Sequence, residues 1–414
     1  MRTTLPVYIG KDAIAKLIQY CDSHQLAKFT LVADQNTYPI LGQAVETALA
    51  SRGLDVNTIV LTGKEIIADE YYIVQVLLRA TREDRVYLAV GSGTLTDITR
   101  FVSHRTKATF ISVPSAPSVD GFTSGTASLG IGKLKRTVNA HPPIAIFADL
   151  PTLCAAPRAM IAAGFGDMLG KFTSLADWRL GHLLWDEPYD ERIAQRTRKA
   201  LLNCVSRVEA IGKASDEGAQ SLMEGLIESG FCMMEAGYSR PAAGAEHYLS
   251  HFWEMKLLRE DRPAILHGAK VGVACIMVAK YYDQIRRLAR RDVIARLEAS
   301  ALPNRDQEIQ RIREGYAAIV DQVVAEQAPF LNLTEPTYAL LKRRIEEHWA
   351  EIQDIAATVP PAEELTRLLG AVGGSINPAM LGLSEEETEQ ALKFSHYFRN
   401  RFTVFKLNQI LGLA

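Results

Sequence analysis

An apolar run passes directly into a glycine-rich turn in the stretch RVYLAVGSGTLTD at positions 85–97. Residues 88–90 are apolar on both faces, which is typical of a central strand in a sheet with helices on both sides. A helical pattern starts at Leu95, so backbone N–H groups and a positive helix end are expected beside the glycines, where they suit a pyrophosphate. Thr96 stands where the dinucleotide-binding fingerprint has its third glycine. An ordinary turn capped by Thr94 or Thr96 is the alternative interpretation.

Strands and helices alternate around this stretch through the first 150 residues. Besides 85–90, short β-branched runs predict strands at 29–33, 56–60, 109–113 and 144–148. Segments of helical length lie between them, among them 40–51 and 69–81. This alternation is typical of a parallel sheet whose faces are covered by helices.

The second part of the chain has a different pattern. After residue 151 the strand signals stop, and helical periodicity extends over 161–185, 192–211 and 219–236. We therefore predict a Rossmann-like, dinucleotide-binding α/β domain at 1–150 with a mostly parallel sheet, followed by an all-α domain at 151–414. The two domains are expected to pack together with a cleft between them.

Composition excludes several classes of function. The chain has 46 Lys and Arg against 48 Asp and Glu among 414 residues, so it has no bulk attraction to nucleic acid or anionic lipid. The longest apolar stretch, 271–279, is about half of what a bilayer span needs. The start MRTTLP lacks the features of an export signal, and the five cysteines are spaced for neither disulfides nor a thiolate zinc site. We expect a cytoplasmic protein with reduced cysteines.

Two more candidates for nucleotide binding follow predicted strands. Asp34 comes directly after 29–33, where a carboxylate can accept hydrogen bonds from an adenosine ribose and repel a 2′-phosphate. NAD would then be used at least as well as NADP. The loop after 109–113 lies at the carboxyl edge of the sheet and offers small hydroxyl residues as phosphate or nicotinamide contacts, namely Ser115, Ser118 and Ser124. A turn-capping Asp and a plain loop are the alternatives.

The helical part contains residue types that suit a divalent cation. Asp167 lies in GFGDMLGK (164–171), and three of the nine histidines follow at His247, His251 and His267. A carboxylate with two neutral imidazoles can hold such an ion and leave positions open for a substrate oxygen. Alternatively, Asp167 caps a helix and the histidines lie on a solvated helical face. Spacing does not separate His247 from His251, because both point along the same face.

Five motifs resemble those of the metal-dependent dehydrogenase superfamily that includes glycerol dehydrogenase, iron-containing alcohol dehydrogenases and dehydroquinate synthase. They are GSGTLTD (91–97), VPSAPSVDG (113–121), GFGD (164–167), GAEH (244–247) with His251, and the pair at 267–268. Three segments are similar to its bacterial sn-glycerol-1-phosphate dehydrogenase branch: GDMLGKFTSLADW (166–178), SRPA (239–242) and RNRFT (399–403). The resemblance covers the chain from about Asp34 onward, with little from 286–364. Relatives often carry three glycines where this chain has GSGT.

The resemblance implies a dehydroquinate synthase-like fold, a homodimer, and NAD as cofactor with NADP as the alternative. It implies one divalent metal on Asp167, His247 and His267, with zinc or nickel ahead of iron. His251 and Asp120 are implied to contact the substrate, and His251 or a water to supply its proton. The residues implied to line the dinucleotide are Gly91, Ser92, Gly93, Thr94, Leu95, Ser115, Ala116, Pro117, Ser118 and Ser124.

The implied reaction is hydride transfer between NAD(P)H and dihydroxyacetone phosphate, giving sn-glycerol 1-phosphate, with the metal as Lewis acid. Four cations are candidate partners for the substrate phosphate, each of which could instead be solvated: Lys133, Lys135, Lys171 and Arg240. A glycerol dehydrogenase would lack such a group. Dehydroquinate synthases have Glu where Asp167 stands. Two alternatives come from other classes of protein: an iron oxygenase with two histidines and one carboxylate, and a non-catalytic NAD-binding protein.

Overall fold

The computed structural model describes residues 5–81, 83–132 and 134–413. Its strands are β1 Val7–Gly10, β2 Lys28–Asp34, β3 Asp55–Leu61, β4 Val86–Gly91, β5 Phe110–Pro114, β6 Thr126–Ile131, β7 Leu134–Asn139 and β8 Ala145–Asp149. Six of them form a parallel sheet in the order β1-β8-β5-β4-β2-β3, and β6 pairs with β7 in an antiparallel hairpin. The five predicted strands and the parallel sheet are confirmed.

Helices cover both faces of this sheet. They are α1 Ala13–Ser23, α2 Gln43–Ala50, α3 Glu70–Arg79 and α4 Gly93–Arg105. Leu88 and Val90 of β4 pack in one apolar cluster, whereas Tyr87 and Ala89 pack in another. The alternate residues of a strand point to opposite faces, so β4 is buried on both, as predicted for a central strand. The carboxyl side chain of Asp69 accepts a hydrogen bond from the Tyr72 amide and fixes the start of α3.

Three strands were not predicted. β1 has four residues at the edge of the sheet, too few for a periodic signal. The hairpin strand β7 has the sequence LKRTVN and is exposed or half-buried throughout, so it lacks an apolar run. Its partner β6, TASLGI, is rich in small residues. Lys133 lies between them, outside the described residues.

Beyond Asp149, the described residues form helices and turns. The helices are α5 Leu150–Ala155, α6 Arg158–Leu169, α7 Lys171–Trp185, α8 Glu191–Ser206, α9 Val208–Gly212, α10 Asp216–Ala236, α11 Ala245–Arg259, α12 His267–Arg287, α13 Arg290–Ala299, α14 Arg305–Tyr316, α15 Val320–Glu326, α16 Ala328–Leu331, α17 Glu335–Glu347, α18 Trp349–Ala357, α19 Ala362–Ala371, α20 Glu385–Phe394 and α21 Val404–Ile410. The stretches 161–185 and 192–211 are each interrupted, at Gly170 and at Arg207. The switch from strands to helices agrees with the predicted boundary, while the division into two functional domains stays a prediction.

Close packing of α6 against α12 positions the site. A Cβ at Gly268 would collide with the carbonyl oxygen of Ala163, and a Cβ at Gly166 would collide with the carbonyl oxygen of Gly268. Only glycine permits so short a distance between the two backbones. Asp167 on α6 and His267 at the start of α12 are therefore brought side by side.

None of the five cysteines forms a disulfide in the structure. Four are buried and Cys154 is half-buried, which agrees with the expectation that they are mostly buried, and their reduced state stays a prediction. Among the described residues, no helix has the length and apolar character needed to cross a membrane.

Candidate metal centre and nucleotide edge

The glycine-rich turn connects β4 to α4. Gly91 ends the strand, Ser92 occupies the N-cap position, and the helix begins at Gly93, where a Cβ would lie 2.8 Å from Val119 Cγ2. The alternative caps are wrong for this turn, because Thr94 and Thr96 both lie inside α4. The unpaired N–H groups of the first helical turn thus face the carboxyl edge of the sheet.

The loop after β5 lies beside this turn. The Ser115 amide donates to the Gly91 carbonyl over 3.2 Å, which joins the two loops. Ser115, Ala116 and Ser118 are buried, and a Cβ at Gly164 of α6 would collide with the Pro117 carbonyl oxygen. The loop therefore connects the nucleotide edge with the helical part.

Asp34 and Ser124 are engaged locally. The Asp34 Oδ1 accepts the amides of Asn36 and Thr37 at 2.8 and 2.7 Å, which is the turn-capping interpretation. Asp34 nevertheless ends β2, the neighbour of β4, so its role toward a ribose stays a prediction. The Ser124 hydroxyl donates to the Thr126 carbonyl over 3.0 Å, and its contact with the dinucleotide also stays a prediction.

Three helices bring the predicted metal ligands together. Asp167 lies inside α6, His247 in the first turn of α11, and His267 at the first position of α12. One ligand atom from each lies within 4.8 Å of the other two. Asp167 is therefore not a helix cap, and the histidines do not lie on a solvated face. Burial lowers the pKa of His267 well below its usual range, so its imidazole is neutral and its lone pair is available.

Glu246 orients His247. Its Oε1 lies 2.7 Å from His247 Nδ1 and also accepts the Gly244 amide, while its Oε2 accepts the Thr173 hydroxyl over 2.7 Å. Burial alone would raise the pKa of Glu246, but these hydrogen bonds keep it lowered. With Nδ1 donating to a carboxylate, His247 Nε2 is left as an acceptor, 3.8 Å from Asp167 Oδ1.

Asp120 and Asp167 share the buried ammonium of Lys171. The Lys171 Nζ lies 2.7 Å from Asp120 Oδ2 and 2.9 Å from Asp167 Oδ1, and it also donates to the Ala242 carbonyl. The Asp120 amide donates to Asp167 Oδ2 over 3.0 Å, which ties the loop after β5 to α6. Burial opposes the charge of Lys171, yet the two carboxylates raise its pKa. This ammonium is fully engaged and is not a free partner for a substrate phosphate.

His251 lies one turn after His247 on α11. Its Nδ1 is 3.3 Å from Glu254 Oε2, and Glu254 pairs with Lys135 at 2.8 Å and with Lys270 at 3.7 Å. Burial lowers the pKa of His251 to about 4, so the ring is neutral at pH 7. His251, Glu254 and His267 also offer ligand atoms within 4.8 Å of one another, which leaves open the choice between His247 and His251.

The supporting carboxylates Glu246 and Glu254 were not predicted. Each had a signal in the sequence, since Glu246 precedes His247 and Glu254 stands three residues after His251, which is helical neighbour spacing. Of the four candidate phosphate partners, Lys135 and Lys171 are paired as described, and Arg240 Nε pairs with Glu187 Oε2 at 2.6 Å. Lys133 lies outside the described residues.

A parallel sheet followed by helices, with two imidazoles and a carboxylate that converge beside the loop after β5, is the arrangement expected of a metal-dependent dehydrogenase. The model of the iron-containing alcohol dehydrogenase family matches residues 8–157. The crystal structure of an iron-containing alcohol dehydrogenase from Corynebacterium glutamicum has the same fold, with a TM-score of 0.59, 14% identity, and coverage of 99% of this chain and 94% of that chain.

Two relatives define the family more narrowly. A glycerol-1-phosphate dehydrogenase (NAD(P)+) of Geobacillus stearothermophilus is 36% identical over 408 residues, which is 97% of this chain and 92% of the relative. One of Halalkalibacterium halodurans is 37% identical over 407 residues, with the same coverage. The chain belongs to the glycerol-1-phosphate dehydrogenase family, as the resemblance predicted. The predicted fold and the predicted class, a metal-dependent oxidoreductase, are confirmed.

Proposed function

We propose that this enzyme interconverts dihydroxyacetone phosphate and sn-glycerol 1-phosphate by hydride transfer to and from NAD(H), with NADP(H) as a second cofactor. The observation that carries this proposal is the convergence of Asp167, His247 and His267 within 4.8 Å, joined through Asp120 to the loop at the nucleotide edge. The relatives named for this reaction cover almost the whole chain, which supports the choice of substrate.

The donor set fits a divalent metal. Two imidazoles and one carboxylate oxygen can hold zinc, nickel or iron. We propose zinc or nickel ahead of iron because the family resemblance implies that order. Asp167 Oδ1 has two lone pairs, so contact with Lys171 does not exclude a metal there. When bound, the ion supplies Lewis-acid polarisation of the substrate's hydroxyl or ketone oxygen.

The chain's own residues hold and move the proton. His251 donates from Nδ1 to Glu254, so its Nε2 can accept the hydroxyl proton during oxidation and return it during reduction. The Glu254 carboxylate would stabilise the imidazolium that forms. Burial alone would raise the pKa of Glu254, but Lys135 and Lys270 hold it well below its usual range, so the carboxylate remains ionised. Asp120, fixed by Lys171 and by the Ser229 hydroxyl at 2.9 Å, would orient the substrate.

The dinucleotide would lie along the carboxyl edge of the sheet. The N–H groups of the first turn of α4 would bind the pyrophosphate, and Asp34 at the end of β2 would accept hydrogen bonds from the ribose. The loop at 115–118 and Ser124 would face the nicotinamide half. A homodimer, cytoplasmic location and the functional domains 1–150 and 151–414 stay predictions from the sequence.

One assay tests the proposal. Oxidation of NADH and of NADPH is measured with dihydroxyacetone phosphate, with dihydroxyacetone and with no acceptor, before and after chelation and re-addition of Zn2+, Ni2+ or Fe2+. We expect the phosphorylated acceptor to give a kcat/KM at least about 10-fold higher, because a charged hydrogen bond to phosphate is worth that much. Activity should vanish on chelation. Equal activity with unphosphorylated dihydroxyacetone would show that the substrate is wrong.

A further inference from the structure

Three arginines gather where the loop before α11 meets the segment before α21. Arg401 donates to the Ala243 carbonyl and to the Ser239 hydroxyl, both over 3.0 Å. Arg240 Nε pairs with Glu187 Oε2 at 2.6 Å. The guanidinium of Arg399 stands over the ring of Phe398, 5.0 Å from its centroid. We call Arg240, Arg399 and Arg401 the arginine cluster.

The arginine cluster has an excess of positive charge. Within the described part of the chain, Glu187 is the carboxylate that pairs with it, through Arg240, and its other oxygen accepts the Phe402 amide over 2.8 Å. The next buried carboxylate, Asp177, is occupied by the Ala245 and Val404 amides and the Tyr282 hydroxyl. A second carboxylate, that of the exposed Glu326, accepts the Asn400 amide over 3.2 Å. Within the described residues, Arg399 and Arg401 have no ion-pair partner. Desolvation lowers the pKa of Arg401, which is the cost of an incompletely paired cation.

Tyr248 provides an independent sign of a missing ligand. Its side chain is 2% exposed, and its hydroxyl has no hydrogen-bond partner among the residues described. Buried hydroxyl groups are normally satisfied, so such a group calls for an explanation. The Tyr248 ring packs beside Phe398, the same ring over which the Arg399 guanidinium stands.

Phe398 connects the arginine cluster with the metal centre. Its ring centroid lies 6.1 Å from that of Tyr248 and 5.1 Å from that of His251. The His251 ring lies in turn 5.6 Å from the His267 ring. The positive charges are thus one aromatic ring away from the proposed proton carrier, on the same side of α11.

We infer that Arg399, Arg401 and the Tyr248 hydroxyl bind the phosphate group of a small phosphorylated substrate whose reacting carbon lies at the metal centre. This inference rests on the proposed function. A phosphate dianion would pair with the guanidinium groups of Arg399 and Arg401, whose planar geometry matches its oxygens, and the Tyr248 hydroxyl would gain an acceptor. Arg240 positions the site through Glu187. The cations Lys135 and Lys171 are already paired with carboxylates and do not compete for this role.

Variants of the holoenzyme test the inference. Arg399→Gln and Arg401→Gln should each lower kcat/KM for dihydroxyacetone phosphate by about 10- to 100-fold, the range for a lost hydrogen bond to a charged group. The kcat/KM for unphosphorylated dihydroxyacetone should change by less than about 3-fold, within the scatter of such effects. Tyr248→Phe should give a smaller loss of the same sign. Arg291→Gln, whose side chain is 89% exposed on α13, is the control and should change neither.

Inorganic phosphate separates this inference from the proposed function. It should bind the wild type in calorimetry and inhibit competitively against dihydroxyacetone phosphate, and Arg399→Gln should weaken both effects about 10-fold. Preference for the phosphorylated acceptor retained in both arginine variants would overturn the inference alone. An enzyme inactive on dihydroxyacetone phosphate would overturn the proposed function, while loss of phosphate binding in the variants would still support the site. Equal losses on both acceptors would show a structural role and overturn the inference. Arg399→Gln decides the matter should Arg401→Gln not fold, since Arg401 holds the backbone.

Discussion

Two buried polar clusters in the helical part differ in what their atoms face. In the cavity around Lys406, the ammonium donates to Gln327 Oε1 over 3.1 Å and stands 4.0 Å from the Phe330 ring centroid, while the Tyr397 hydroxyl donates to Glu308 over 2.5 Å. The ammonium and the hydroxyl group each donate a hydrogen bond to an acceptor in this cavity. In the metal-site cluster of Asp167, His247 and His267, acceptor lone pairs converge instead. Burial of polar groups is common to both, so convergence of lone pairs is what marks the site.

The largest expected effect comes from removing one of the two imidazoles of the metal-site cluster. His247→Ala and His267→Ala should lose the metal and reduce turnover on the order of 10³-fold, because an electrophilic ion worth several kcal/mol is lost. His251→Ala should keep the metal and lose about 10²-fold in turnover, as expected for a proton carrier. Elemental analysis and steady-state kinetics of the three variants check this.

The matched control lies in the other cluster. His396→Ala removes a buried histidine near Lys406 and should leave the metal content unchanged. A metal-free His251→Ala together with a metal-loaded His247→Ala would mean that the two histidines have exchanged roles. The second convergent group, with Glu254, makes that a definite alternative.

A smaller effect is expected from Glu246, which hydrogen-bonds to the proposed metal ligand His247. Glu246→Gln keeps an acceptor near the Gly244 amide but loses the charge that fixes the His247 ring, so the affinity for Zn2+ should fall about 10- to 100-fold. Competition with a chelator of known affinity measures this. Glu308→Gln, the equivalent change in the Lys406 cavity, should leave zinc affinity unaltered, and equal losses in both would show a general effect on folding.

Sequence patterns predicted the parts of the site that local rules govern. The strands leading to Gly91 and Ser115 follow from apolar runs, and Asp167, His247 and His267 were found as residue types matched to a family. The sequence patterns could not predict that the residues of the arginine cluster lie close together and near the metal centre. Arg399 and Arg401 are about 150 residues from His251, and periodicity carries no information about contacts across that separation.

The orientation of ligands was equally hidden. Which of His247 and His251 faces Asp167 depends on hydrogen bonds to Glu246 and Glu254, since both histidines share one helical face. The hairpin β6–β7 escaped prediction because β7 has no buried residue and β6 is rich in small residues, yet its Lys135 fixes Glu254. Exposed elements lack the apolar pattern on which strand prediction depends.

The smallest expected effect is on the stability of the folded protein, and it concerns Lys406 in the second polar cluster. Burial lowers the pKa of Lys406 to about 7 from an ordinary value of 10.5, while Glu308 opposes this. Between these values the unfolded chain binds more protons than the native one, so this residue makes stability rise with pH from 7 to 10.5, and its penalty is constant below 7. Lys406→Met should remove that dependence of stability on pH. At pH 6 it should stabilise the protein by about 1 to 2 kcal/mol, after the cost of losing the hydrogen bond to Gln327 has been subtracted.

Chemical denaturation at pH 6 and pH 9 measures this difference, with Lys393→Met as the control. Lys393 is 59% exposed beside Glu314, and its removal should change stability little at either pH. If Lys406→Met destabilised the protein equally at both pH values, the Lys406 side chain would be a net stabilising group in its cavity whether charged or neutral. Metal content should stay unchanged in either case, because no three metal-ligating atoms converge in the Lys406 cavity among the residues that the structure describes.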